Sequence, residues 1–79
     1  MILYEFHIVY PEGESREIKN CLNLSDILDI NGNPLELPLP TNRMIAYQIS
    51  KKRTIENKGI VTTVYYLEQL NSDELQSYL

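Results

Sequence analysis

The chain opens on an alternation. Ile2, Tyr4, Phe6, Ile8 and Tyr10 fall on one parity, with Glu5 and His7 on the other. A period of two built from aromatic and β-branched residues predicts a strand with one buried face. Pro11-Glu12-Gly13 interrupts it, because Pro presets a turn dihedral and Gly accepts positive φ. The alternation resumes at Ile18, Asn20, Leu22 and Leu24, which predicts a second strand and an antiparallel hairpin.

The middle of the chain is less regular. Ser25 to Ile30 admits two readings, a helical turn capped by Ser25 or a bend into a short strand ending at Ile30. Asn31-Gly32-Asn33-Pro34 is a strong turn signal. Leu35, Leu37 and Leu39 then alternate with Glu36, Pro38 and Pro40. Prolines lack a donor, so this piece is expected as an edge strand or extended chain.

Residues 43–55 and 60–70 are rich in β-formers and flank Glu56-Asn57-Lys58-Gly59, which predicts a long hairpin. In its first arm Ile45, Tyr47, Ile49 and Ile55 share a parity with Lys51 and Arg53. In its second arm both parities are largely apolar or β-branched. Such a strand is expected to be central or covered on its second face. The loop length decides which set faces the core.

After Leu70 the period changes. Asn71 followed by Glu74 fits a capping box, Leu70 and Leu75 fit a hydrophobic staple, and Leu75, Tyr78 and Leu79 take helical spacing. A helix over 72–79 is therefore expected. It is too short to stand alone in water, so it must dock on the sheet, with the second face of the preceding strand as its natural place.

Together these elements predict a single mainly β domain over residues 1–79. The expected form is a small half-open antiparallel barrel of about five strands, SH3-like or OB-like, with a short C-terminal helix. The alternative is an open antiparallel sheet covered by one helix.

Composition narrows the functional classes. Seventy-nine residues with 43% apolar and 23% charged content describe a small globular chain with little room for a deep pocket. No apolar run approaches the roughly 18 residues of a membrane span. Glu5 and His7 fall where a signal peptide would need an unbroken apolar run, and Cys21 has no disulfide partner. Both favour a cytoplasmic setting.

Charge is distributed unevenly. Residues 1–42 hold two basic and seven acidic side chains, and residues 59–79 hold three acidic ones and no basic one. Residues 43–58 invert this, with Arg43, Lys51, Lys52, Arg53 and Lys58 against Glu56.

Candidate chemistry is sparse. His7, on the polar parity of the first strand, has no evident catalytic or metal partner. Cys21 is expected to be half-buried and inert. Asp26 and Asp29 would share a face only if that turn were helical, and a crowded Glu12, Glu14 and Glu17 reads as solvated surface. Catalytic, cofactor and metal roles are assigned to no residue, and enzyme is the least favoured class.

Residues 26–35 resemble the Gly-Asp…Ile-Asn-Gly-x-Pro segment of PDZ domains, with Ser25 at the glycine and the Asp26–Asn31 spacing one residue short. Asn23-Leu24-Ser25 is similar to the start of the second motif of PilZ cyclic-dinucleotide receptors, with Leu28 at the following glycine and no upstream arginine pair. The first is read as shared turn chemistry, and neither family is carried over.

The favoured expectation is a non-enzymatic protein–protein interaction module, an adaptor or accessory subunit, with a protein partner or a second copy of itself. The uncharged stretch Ile60 to Leu67 motivates it, since such a segment aggregates unless covered. The alternative is a small-barrel RNA or single-strand binder. There Arg43, Lys51, Lys52, Arg53 and Lys58 would track phosphates and Tyr47, Tyr65 or Tyr66 would stack on bases. Arg43, Lys51, Lys52, Arg53, Lys58, Tyr65 and Tyr66 are the candidate contacts.

Overall fold

In the computed structural model, which describes residues 1–79, two hairpins lie side by side in one sheet. Strands β1 (Leu3–Val9) and β2 (Ser15–Ile18) form the first, and β4 (Tyr47–Asn57) and β5 (Ile60–Gln69) the second. A two-residue strand β3 (Ile27–Leu28) and a helix α1 (Ser72–Gln76) complete the elements. The chain is mainly β with one short C-terminal helix, as the alternation predicts.

The strand order is β2-β1-β5-β4-β3. Its two ends stay unpaired with one another, so the sheet is an open half-barrel. All pairings are antiparallel except β1 with β5, which run parallel with Leu3 opposite Ile60 and Val9 opposite Tyr66. The sheet is therefore mixed, which corrects the all-antiparallel expectation. Alternation fixes which side chains share a face but carries no strand direction.

The first hairpin forms where expected, with Phe6 opposite Ile18 and Val9 opposite Ser15. Its second strand starts and stops earlier than the sequence pattern suggests. Residues 19–26 leave the sheet and cross its front face from the β2 edge to the β3 edge. Leu22 N donates to Tyr65 Oη at 3.0 Å, and Tyr10 Oη donates to Ile30 O at 2.7 Å. A covering strap thus spans the two edges where a closed barrel would have hydrogen bonds.

Residues 25–30 take the bend and short strand, not the helical turn. Asp26 Oδ2 accepts from Asn23 N at 3.1 Å. Asp29 Oδ1 accepts from Asn31 N at 2.8 Å and from Asn33 N at 2.9 Å. Each carboxylate holds its own turn, so the two do not share a helix face. Gly32 supplies the positive φ of 83° that the turn needs. The proline-rich piece Leu35 to Pro40 is neither a strand nor extended throughout: it bends at Leu37, Pro38 and Pro40 around a cis Leu37–Pro38 bond, and the one bridge, Leu28 to Pro34, lies just before it.

The second hairpin closes through two residues, Lys58 at φ 51° and Gly59 at φ 83°. That is the turn whose twist matches paired strands. It sets Asn57 opposite Ile60 and carries the register back to Arg53 opposite Val64 and Lys51 opposite Tyr66. Ser50 is then an extra residue, since Ile49 faces Leu67. Its hydroxyl donates to Tyr66 O at 3.0 Å. The bulge divides one sequence parity between two faces. Tyr47 and Ile49 turn to the front, whereas Lys51, Arg53 and Ile55 turn to the back.

Two apolar clusters hold the fold. Ile8, Tyr10, Leu28, Tyr47, Tyr65 and Leu67 pack on the front of the sheet, joined by Phe6, Ile18, Leu22 and Ile49. Ile27, Leu39, Ala46, Leu70 and Leu75 form the second, joined by Leu35, Met44 and Tyr78. Helix α1 belongs to the second cluster. Asn71 and Glu74 make the reciprocal capping box, and Leu70 and Leu75 meet as a staple. The helix therefore seals the segment 35–46 and does not lie on the second face of β5. Its five residues end at Gln76, and Leu79 is left 47% exposed.

No helix is long and apolar enough to cross a membrane.

Candidate interaction surface

With the helix placed elsewhere, the back of the sheet has no covering element. The strand registers put Leu3, Glu5, His7 and Val9 of β1 on this face with Ile60, Thr62, Val64 and Tyr66 of β5. Lys51, Arg53, Ile55 and Asn57 of β4 complete it. Its apolar residues are only partly covered: Leu3 is 55% and Ile55 43% exposed, and Val9, Ile60, Val64 and Tyr66 are half-buried. These six apolar side chains are interleaved with Glu5, His7, Lys51, Arg53, Asn57 and Thr62, so the face mixes apolar and polar strips.

The rim of the face is polar and divided by sign. On the β4 side Lys51 Nζ lies 5.8 Å from the centroid of the Tyr66 ring, and Arg53 follows two residues on. A cation over an exposed aromatic ring is worth about 0.5–1 kcal/mol. On the β1 side His7 Nε2 lies 3.5 Å from Glu5 Oε1, and Thr62 Oγ1 donates to the same oxygen at 3.5 Å. Glu17 of β2 stands opposite His7. The result is the mostly apolar column of β5 between a basic and an acidic margin.

The sequence-predicted contacts separate into three groups. Lys51, Arg53 and Tyr66 come together on the back face. Lys52 projects to the front, opposite Tyr65, and Lys58 sits at the hairpin tip. Arg43 lies apart, in the loop before β4, where its N–H donates to Thr41 Oγ1 at 3.0 Å.

Tyr65 and Tyr47 are not surface groups. Tyr65 is 1% exposed, and its hydroxyl accepts the Leu22 N–H. Tyr47 packs edge-on against Tyr10, with ring centroids 5.3 Å apart. Neither is free to stack on a base, which corrects that part of the expectation. The cause is the two-residue loop together with the Ser50 bulge, which turn both rings inward.

The same burial raises both phenol pKa values of the Tyr10–Tyr47 pair. Desolvation is the main cause for each. At Tyr10 the Arg16 charge opposes it, and Tyr47, Asp29 and Glu14 reinforce it. At Tyr47, Glu12 and Glu14 add to it. The crowded glutamates of the first turn thus act on the core tyrosines.

Elsewhere the surface is shallow. A cleft of about 380 Å³ opens beside β2, lined among others by Arg16, Lys19, Cys21, Asp26, Asn31 and Asn33. Arg16 Nη1 donates to Asn31 O across it at 3.2 Å. Cys21 is exposed here, more open than its expected half-buried place. No three His, Cys, Asp or Glu side chains gather into a group able to hold a metal ion.

What sequence reasoning missed is the apolar part of the back face, because Leu3, Val9 and Ile55 fall on parities read as polar or shared with cations. The double-sided apolar pattern of residues 60–67 was the available signal.

No curated protein matches the chain, and no solved structure matches it. Residues 2–78 match the model of the family described as "Uncharacterised Treponema protein", so the chain belongs to that family.

Proposed function

We propose that this chain is a small non-enzymatic protein-interaction module of the cytoplasm that presents the back of its sheet to a protein partner. The supporting observation is that face itself, with Val64 and Tyr66 at its apolar centre and no element of the chain over it. The acidic and basic margins would orient a partner of complementary charge. A lone free thiol without a disulfide suits a reducing compartment.

The test is capture from native lysate with the wild type and with Val64→Asp. A charge at the centre of the face should abolish capture, and circular dichroism checks that the variant stays folded, since Val64 is half-buried in the central strand. Leu37→Asp, on an exposed loop residue away from the face, should capture normally. Equal capture by all three proteins would sink the proposal.

One observation supports the nucleic-acid reading. Lys51, Arg53 and Tyr66 share the back face, which is a basic and aromatic grouping of the kind that holds single strands. Fluorescence anisotropy with a single-stranded RNA separates the two readings. Should Lys51→Gln, Lys52→Gln and Arg53→Gln together remove a salt-dependent affinity, this second reading replaces the first.

A further inference from the structure

The edge of β4 leads beyond the face just described. Strand β3 pairs with β4 only at Tyr47 and Gln48, so the outer edge has no neighbour from Ser50 onward. Residues 50–58 are all exposed. The hairpin closes on Asn57 and Ile60, and opposed residues alternate between hydrogen-bonded and non-hydrogen-bonded pairs. Counting back from a bonded closing pair, Asn57, Ile55 and Arg53 direct their backbone groups to β5. Lys52, Thr54 and Glu56 therefore direct theirs outward, to the free edge.

We propose that this edge pairs with the same edge of a second copy, antiparallel, on a two-fold axis through Thr54. The register follows from charge. A two-fold axis normal to the sheet must pass through a residue, because directly opposed side chains share a face. An axis through Lys51, Lys52, Arg53 or Glu56 sets a charge against itself. An axis through Ile55 sets Lys52 against Lys58 of the second copy. An axis through Thr54 sets Lys52 against Glu56 of the second copy, and Glu56 against its Lys52. Both ion pairs form at outward-facing residues, so each opposed pair also exchanges two backbone hydrogen bonds.

On the back face the same register places Ile55 against Arg53 of the second copy. The two Arg53 side chains sit diagonally and extend into solvent. Cations on an edge strand ordinarily deter pairing. Among axes through residues 51–56, they leave only the one through Thr54. The product is a sheet of twice the width, with the two back faces continuous, and the edge interface does not use Val64 or Tyr66.

Sedimentation from micromolar to millimolar concentration tests the proposal. The wild type should show a monomer–dimer equilibrium. Lys52→Glu puts like charges opposite at two places and should weaken the dimer by about tenfold or more. Adding Glu56→Lys should restore it. Thr54→Pro removes an outward N–H at the axis and should leave only monomer. Its far-UV circular dichroism should be unchanged, since that N–H has no partner within the chain.

In a Cys21→Ser background, Thr54→Cys should give a disulfide-linked dimer, because opposed Cα atoms of a bonded pair lie within bridging distance. Val64→Asp should still dimerise, which separates this interface from binding at the sheet face. A wild type that is monomeric throughout would overturn the proposal. A dimer indifferent to Lys52→Glu, or not recovered by the charge exchange, would do the same.

Discussion

Gly32 sits against the most buried part of the sheet. A Cβ there would lie 2.6 Å from Ile8 Cδ1, and Ile8 is fully buried. Gly13 has a similar positive φ but nothing within 4 Å. The pair separates backbone strain from packing. Gly13→Ala should cost about 1 kcal/mol, the ordinary penalty for a left-handed conformation. Gly32→Ala should cost roughly 1–3 kcal/mol more, the usual range for overpacking. Urea denaturation of both variants checks the difference.

The buried phenols give a second expectation at this scale. The folded chain holds the Tyr10 and Tyr47 protons to higher pH than the unfolded chain does. Their contribution is complete below a phenol's ordinary value of about 10 and is lost as pH rises through the raised folded values. Ionised Tyr10 would also cease to donate to Ile30 O. Alkaline unfolding, followed by circular dichroism and tyrosinate absorbance, should therefore be steeper in the wild type than in Tyr10→Phe/Tyr47→Phe.

At the scale of elements, α1 shows what local chemistry can and cannot announce. Its cap and staple were legible, because Asn71, Glu74, Leu70 and Leu75 stand at fixed offsets along the chain. Its docking place was not, because Ile27, Leu39 and Ala46 come from distant segments without a shared period. The consequence is testable. Leu75, 1% exposed, should lose about 2–5 kcal/mol on Leu75→Ala. Leu79→Ala should change stability by less than about 0.5 kcal/mol, as an exposed substitution does. Thermal melts that rank the two the other way would contradict the observed packing. The Ser50 bulge makes the same point for β4. Tyr47, Ile49, Lys51 and Arg53 share a parity in sequence, and only the extra residue divides core from surface.

At the scale of the whole molecule, the hairpins and turns were readable because each is closed by nearby residues: Gly13, the Asp29 loop, Lys58-Gly59. The direction in which one hairpin meets the other was not, since β1 and β5 meet across more than fifty residues of intervening chain. The candidate site divides likewise. The basic segment was visible as composition, whereas the uncovered face depends on a register and on where the helix goes.

That distant pairing bears on how the protein is made. Strand β1 is synthesised well before β5, and until β5 emerges it has only the four residues of β2 beside it. An isolated two-stranded hairpin is marginal in water. The front cluster also waits, because Tyr65 and Leu67 belong to the later strand. Closing so long a loop before its contacts can reward it slows folding. The strand Leu3 to Val9 is therefore made well before its parallel neighbour exists. During that interval the unpaired strand is open to misassociation.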